Sequence, residues 1–325
     1  MKNWLLGAVA LVLFVVIVFG SFRAGYWNPS LNKLVTAYAE PPSQFIVIDG
    51  VPLHVRDEGP GAGMAAPTLI LLNGHLGNLH MFDGWVPVLT PHIRLIRLDY
   101  PPYGLSGPDP TGDYSTERSV KLLGLFIDHL GLTRVSVGGT SNGALVAAIY
   151  AIRHPDRVDR LVVSTLPNGR PPRRSPSEAM LRASSNNRWT APYQSQAFYR
   201  AFLQDVFARP DRVTDELVRQ YADINNRAGA VTWVNAYIQT QYKLWDTTDV
   251  AALFSQLTTP TLLQWGDGGK VLPPFVGDAV RDLLKNAPVT MIRYPDAGHM
   301  PMLELPEKTA GDVLKFMQQP VAPAK

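Results

Sequence analysis

The segment that most constrains this chain is Val135-Ser136-Val137-Gly138-Gly139-Thr140-Ser141-Asn142-Gly143-Ala144. An apolar, β-branched run ends there in Gly-x-Ser-x-Gly and passes straight into a small-residue helical stretch. A strand that turns this sharply into a helix forces the central serine into a strained backbone conformation and lifts its hydroxyl above the sheet edge. Glycines are needed on both sides because side chains would collide in so tight a turn. The helix that starts at Asn142 aims its free N–H groups at any charge developing near Ser141. Strand, turn and helix all fall where a nucleophilic serine requires them, which a chance pentapeptide in a Gly/Ser-rich turn does not explain.

The 325 residues are 46% hydrophobic and 18% charged, which suits one globular domain with appendages. A formal net charge of +3, with dispersed basic residues, argues against a nucleic-acid partner. The densest basic group, Arg170 with Arg173 and Arg174, sits among prolines and reads as a solvated loop. With no cysteine, disulfides, thiolate metal sites and cysteine nucleophiles are excluded.

Trp4 to Phe22 is almost purely apolar, with Lys2 before it and Arg23 after. As a helix it would reach roughly 28 Å, close to the ~30 Å hydrocarbon core of a bilayer. A signal peptide is the main rival, but the apolar run exceeds the usual h-region and Val18-Phe19-Gly20 is a weak cleavage pattern. A core helix would not be hydrophobic on every face. The expectation is a single membrane anchor over residues 1–24, with the catalytic part exported to the periplasm or cell exterior. The charges Lys2, Arg23 and Lys33 fix that orientation poorly.

Residues 25–44 read as a linker. Phe45–Ile48 and Leu53–Arg56 alternate around Asp49-Gly50, a strong hairpin signal. Strand patterns follow at Thr68–Leu72, Ile93–Leu98 (half-buried by its arginine alternation), Val135–Val137, Leu161–Ser164, Thr261–Trp265 and Val289–Tyr294. Helical patterns lie between them, such as Ser115–Leu130 with Leu122, Leu123, Phe126 and Leu130 on one face. The alternation predicts an α/β fold: a mostly parallel central sheet with helices on both faces. The core is expected over 45–167 and 254–318, with a tail at 319–325. Between them, 168–253 is helical and rich in aromatics, and is expected to act as a cap over the serine. Most of its aromatics should form the cap's own core, and a few should line a pocket.

A serine hydroxyl needs a base within hydrogen-bond reach. His299 follows the last strand in Tyr294-Pro-Asp-Ala-Gly-His299 and emerges at the same sheet edge as Ser141. His154 reads as structural, and His54, His80, His92 and His129 read as surface or packing residues. The oxyanion of acyl transfer wants two backbone donors. These are expected from Asn142, directly after the nucleophile, and from His75 in Asn73-Gly74-His75-Leu76-Gly77.

With these parts in order, the chain resembles the α/β-hydrolase superfamily, in the capped branch that includes meta-cleavage-product hydrolases, esterases and lactonases. The resemblance spans about 45–318. It is carried by Asn73-Gly74 where the family has His-Gly, and by Asp99-Tyr-Pro-Pro-Tyr-Gly104-Leu-Ser106. The Ser141 elbow and Gly298-His299 with Glu304 and Pro306 complete it. It implies a serine hydrolase acting through an acyl-enzyme on an ester or lactone with a hydrophobic part, a small-molecule substrate, and no metal or organic cofactor. C–C bond hydrolysis of a dienone, or a retired fold used for binding, are the alternatives it leaves. The family acid follows the penultimate strand as Gly-x-x-Asp, where this chain has Gly269. The resemblance therefore points to Asp267, two residues early, or to Asn168 after the strand before the cap, or to neither.

Overall fold

The computed structural model describes residues 2–61, 64, 66–172 and 175–320. Arg173, Arg174 and residues 321–325 of the expected tail lie outside the described residues.

The expected sheet is present. Eight strands, β1 (Ser43–Ile48), β2 (Val51–Glu58), β3 (Thr68–Leu72), β4 (Arg94–Leu98), β5 (Val135–Thr140), β6 (Val158–Ser164), β7 (Thr261–Gly266) and β8 (Val289–Tyr294), lie in the order β1-β2-β4-β3-β5-β6-β7-β8. β1, β2 and β4 pair antiparallel and every later pairing is parallel. The β1–β2 turn places Asp49 (φ 49°) and Gly50 (φ 82°) in the left-handed region, the geometry a two-residue hairpin of matching twist demands. Both faces of the sheet are covered at β3, so that strand is apolar from Leu69 to Leu72 rather than alternating. In β3, Leu69 and Leu71 enter one apolar layer while Ile70 and Leu72 enter the other.

Helix Thr116–His129 forms on the predicted stripe, capped by Ser115 Oγ, which accepts the Arg118 N–H at 3.1 Å. Two expectations are corrected. The arginines of β4 do not mark a half-exposed strand, since Arg94 and Arg97 are 7% and 1% exposed. Each is neutralised by an acid from β2: Arg94 Nη2 lies 2.6 Å from Asp57 Oδ2, and Arg97 Nη2 lies 2.6 Å from Glu58 Oε2. Charge varies along β4, but exposure does not, since every residue of the strand is buried. The expected linker also contains a helix, Leu31–Tyr38, N-capped by Ser30. It buries Leu34 against Leu105 and Ile224, and Tyr38 Oη donates to Asp223 Oδ2 at 2.7 Å.

Between β6 and β7 run the helices Glu178–Asn187, Gln196–Val206, Asp215–Asn225 and Ala230–Thr247, in the insert called the cap after its expected role. The N-terminal helix Lys2–Arg23 is long and apolar enough, over Trp4–Arg23, to cross a membrane, and none of that stretch is buried in the fold. Its end meets the cap through ring contacts of Phe19 with Trp189 (6.0 Å) and Phe22 with Tyr193 (5.4 Å).

Candidate active site

Ser141 stands between β5 and helix Asn142–Arg153 with φ 51° and ψ −120°, a region that non-glycine residues rarely occupy. The glycines around it are steric requirements. A Cβ on Gly139 would sit 2.6 Å from the Leu72 carbonyl oxygen, and one on Gly143 would sit 2.5 Å from the same atom. β5 and the following helix can therefore press against β3 only without side chains. The Ser141 N–H donates to the Ser164 carbonyl at 3.0 Å, which ties the turn to β6.

The loop after β3 closes over this turn. Asn73 is fully buried, and its Nδ2 donates to the Gly74 and Gly77 carbonyls at 3.0 Å each. The side chain thus fixes the loop's shape. His75 follows, with Nδ1 2.9 Å from Tyr103 Oη, and burial pushes its pKa down to about 4, so the ring is neutral near pH 7. Tyr103 in turn meets the cap residue Tyr237 edge to face at 5.5 Å.

His299 lies on the loop after β8 and is 6% exposed. Its backbone is clamped from three sides: its N–H donates to the Val206 carbonyl at 2.8 Å, Thr165 Oγ1 donates to its carbonyl at 3.1 Å, and the Gly298 N–H donates to Glu304 Oε1 at 2.5 Å. Glu304 Oε2 also accepts the N–H groups of Ala208 and Arg209, at 2.9 and 3.1 Å. One carboxylate thereby joins the histidine loop to the cap. Burial raises the Glu304 pKa, opposed by these backbone donors.

The structure brings Ser141, Asn142, His75 and His299 to the wall of one cavity of about 240 Å³. Core and cap both line it, the cap through Phe202, Val206, Tyr237, Ile238, Tyr242 and Trp245. A few cap aromatics thus face the cavity, while Tyr199, Phe207 and Tyr221 are buried in the second apolar layer. Pro167 and Gly169, which flank Asn168, also reach the cavity wall.

Asp267 is placed differently. Its Oδ1 lies 2.8 Å from Arg293 Nε, and Arg293 also reaches Asp278 at 2.9 Å. Among the described residues this arginine is the partner the Asp267 side chain meets, and Asp267 is not part of the cavity wall. Among the described residues no cluster of His, Cys, Asp or Glu could hold a metal ion.

Two features escaped sequence reasoning. Glu304 was legible only as part of a motif, and Thr165 not at all, although its φ of 47° marks a second strained turn beside the elbow. His54, by contrast, is the packing residue expected. It is fully buried, with Nδ1 2.8 Å from Asp99 Oδ2 and Nε2 2.9 Å from Ser43 Oγ. Asp99 also accepts the N–H groups of Leu79 and Leu105, at 2.6 and 2.7 Å, so it knits two loops to the hairpin.

Comparison with known proteins agrees with this architecture. A family model for the alpha/beta hydrolase fold matches residues 67–306. Lipase 3 of Moraxella sp. (strain TA144) is 26% identical over 255 residues, covering 76% of each chain. The pimeloyl-[acyl-carrier protein] methyl ester esterase of Nitrosomonas europaea is 25% identical over 270 residues, covering 79% of this chain and 96% of that protein. The crystal structure of a membrane phospholipase A, described as a bacterial virulence factor, superposes with a TM-score of 0.70 at 23% identity and covers 98% of both chains. Relatives that include lipases, esterases and C–C bond hydrolases support a hydrolase. With sheet order, strained serine turn and family match in agreement, the chain belongs to the alpha/beta hydrolase fold family.

Proposed function

We propose that this chain is a membrane-anchored serine hydrolase acting on a carboxylic ester or lactone with a hydrophobic part. The observation that carries the reading is Ser141, held at φ 51° at the mouth of β5 and sharing an apolar cavity with His299. In this reading Ser141 Oγ attacks the carbonyl carbon as His299 takes its proton. The oxyanion is met by the backbone N–H groups of Asn142 and His75. His299 returns the proton to the departing alcohol, and water, activated by the same ring, releases the acid from the acyl-enzyme.

A neutral His75 side chain suits this site, because a second cation there would oppose the positive charge that His299 gains when it takes the serine proton. The apolar cap wall supports a hydrophobic acyl group. Asp267 as the orienting acid rests on its position after β7, and Asn168 on its position after β6. Helix Lys2–Arg23 is read as the anchor, on its length and its apolar character. Its contacts with Trp189 and Tyr193 support a cap held at the membrane surface.

The test is hydrolysis of p-nitrophenyl acyl esters of increasing chain length by the full chain in lipid nanodiscs. Ser141→Ala and His299→Gln should each cut kcat by ~10³ or more. Loss of an orienting acid costs up to ~10⁴, so Asp267→Asn and Asn168→Ala tell which position, if either, orients the ring. Full activity in Ser141→Ala would refute the mechanism.

A further inference from the structure

The wall of the cavity beside Ser141 holds one feature the hydrolytic chemistry does not use. Helix Ala230–Thr247 contributes Tyr237, Ile238, Gln241, Tyr242 and Trp245 to it, the spacing of a single helix face. Gln241 lies in the middle of that row and is 6% exposed. Both ends of its amide, Nε2 and Oε1, are buried without a hydrogen-bond partner among the described residues.

Burying an amide with neither end satisfied is costly, and native proteins leave few such groups unexplained. Methionine or leucine would fill a similar volume on this apolar wall with no polar atom to satisfy. An amide that is buried, unpaired among the described residues and set among cavity-lining residues has the form of a group waiting for a ligand. In apolar pockets, a few placed polar groups are what fix ligand orientation.

The chemistry of the pair narrows the partner. A glutamine amide offers a donor and an acceptor side by side. A ketone or ester carbonyl would satisfy only Nε2, and an ammonium only Oε1. A hydroxyl satisfies both, since its oxygen accepts from the Nε2–H while its proton is donated to Oε1. We infer that Gln241 is a specificity-determining residue that binds a hydroxyl group carried on the acyl chain of the substrate. The inference rests on the reading of this cavity as the acyl site of an ester or lactone hydrolase, and makes a hydroxyacyl ester the preferred substrate class. Hydroxyl recognition by a buried polar group discriminates strongly, because the analogue lacking the hydroxyl leaves the site's own groups unpaired.

The test measures binding separately from catalysis. Decanoic acid and decanoic acids hydroxylated at successive carbons would be titrated by calorimetry into the full chain in nanodiscs, wild type beside Gln241→Met. At one or more hydroxyl positions the wild type should bind the hydroxy acid about 10-fold or more tighter than decanoic acid. Gln241→Met should erase that ratio while binding decanoic acid at least as well. Gln241→Leu serves as a second variant should Met fail to fold. A hydroxy-to-plain ratio equal in wild type and variants at every position overturns the inference, and so does a wild type that binds none of the acids. A preference for a hydroxy acid that vanishes in Gln241→Met, in a protein that hydrolyses no ester, keeps the role of Gln241 and refutes the ester reading instead.

Discussion

At Glu304 a single carboxylate holds three backbone N–H groups drawn from two separate segments, Gly298 on one side and Ala208 and Arg209 on the other. Glu304→Gln replaces an acceptor-only oxygen with an NH₂ that faces an N–H, leaving a buried donor unsatisfied at a cost of about 1–3 kcal/mol. Thermal melting should show that loss. Because the clamp sets the His299 backbone, kcat should fall by ~10-fold or more with KM changing less. Unchanged kcat would mean that the loop holds its shape without the clamp. His75 offers a pH signature at the same scale. Its folded pKa of about 4 lies below the ordinary value near 6.5. As pH falls from about 6.5 to 4 the unfolded chain takes up a proton that the folded chain refuses. Stability is therefore fully present above that window and lost through it, by on the order of 3 kcal/mol at most. Denaturant melts of wild type minus His75→Asn should show the difference shrinking as pH drops across this window. A pH-independent difference would contradict the burial argument.

The elbow is the element where sequence and structure agree most closely, and the reason is steric. Gly138, Gly139 and Gly143 sit where any Cβ meets backbone of a neighbouring strand or of the turn itself, so the spacing of glycines records the geometry directly. The strain that remains is at Ser141, and positive φ in a non-glycine residue costs on the order of 1–3 kcal/mol. Ser141→Gly should therefore raise the melting temperature while abolishing hydrolysis, whereas Ser141→Ala keeps the strain and should not gain stability. A Ser141→Gly protein that melts below wild type would contradict a strained nucleophile. Where sequence reasoning failed, competing physics hid the signal. The β4 arginines look like solvent contacts until β2 supplies Asp57 and Glu58 beside them, a pairing no local pattern shows. Helix Leu31–Tyr38 carries a proper stripe of Leu31, Leu34, Val35 and Tyr38, but over only eight residues. Its stability comes from burying Leu34 against distant Leu105 and Ile224. Asp267 illustrates the limit for the site: its position follows the right strand, yet its partner Arg293 comes from the neighbouring one.

For the whole molecule, the N-terminal helix and the insert between β6 and β7 touch. Phe19 and Phe22 meet Trp189 and Tyr193, and the Arg23 guanidinium reaches the Arg188 carbonyl at 3.4 Å. An aromatic contact of this kind contributes about 0.5–1.5 kcal/mol beyond its area. Trp189→Ser should thus raise the population in which the end of the N-terminal helix is loose by several-fold. Limited trypsin cleavage after Arg23 in nanodiscs should accelerate accordingly, with hydrolysis of a short soluble ester unchanged. Equal cleavage rates would mean that the contact does not hold the N-terminal helix. The same architecture gathers the proposed catalytic residues from the strand ends of β3, β5 and β8, so the central claim concerns one atom. Mass spectrometry of the full chain after treatment with a fluorophosphonate reads it directly, because only an activated serine reacts at neutral pH. The account predicts a single phosphonyl adduct on the peptide carrying Ser141, absent in Ser141→Ala and strongly slowed in His299→Gln. No adduct, or an adduct that persists in Ser141→Ala, would contradict it.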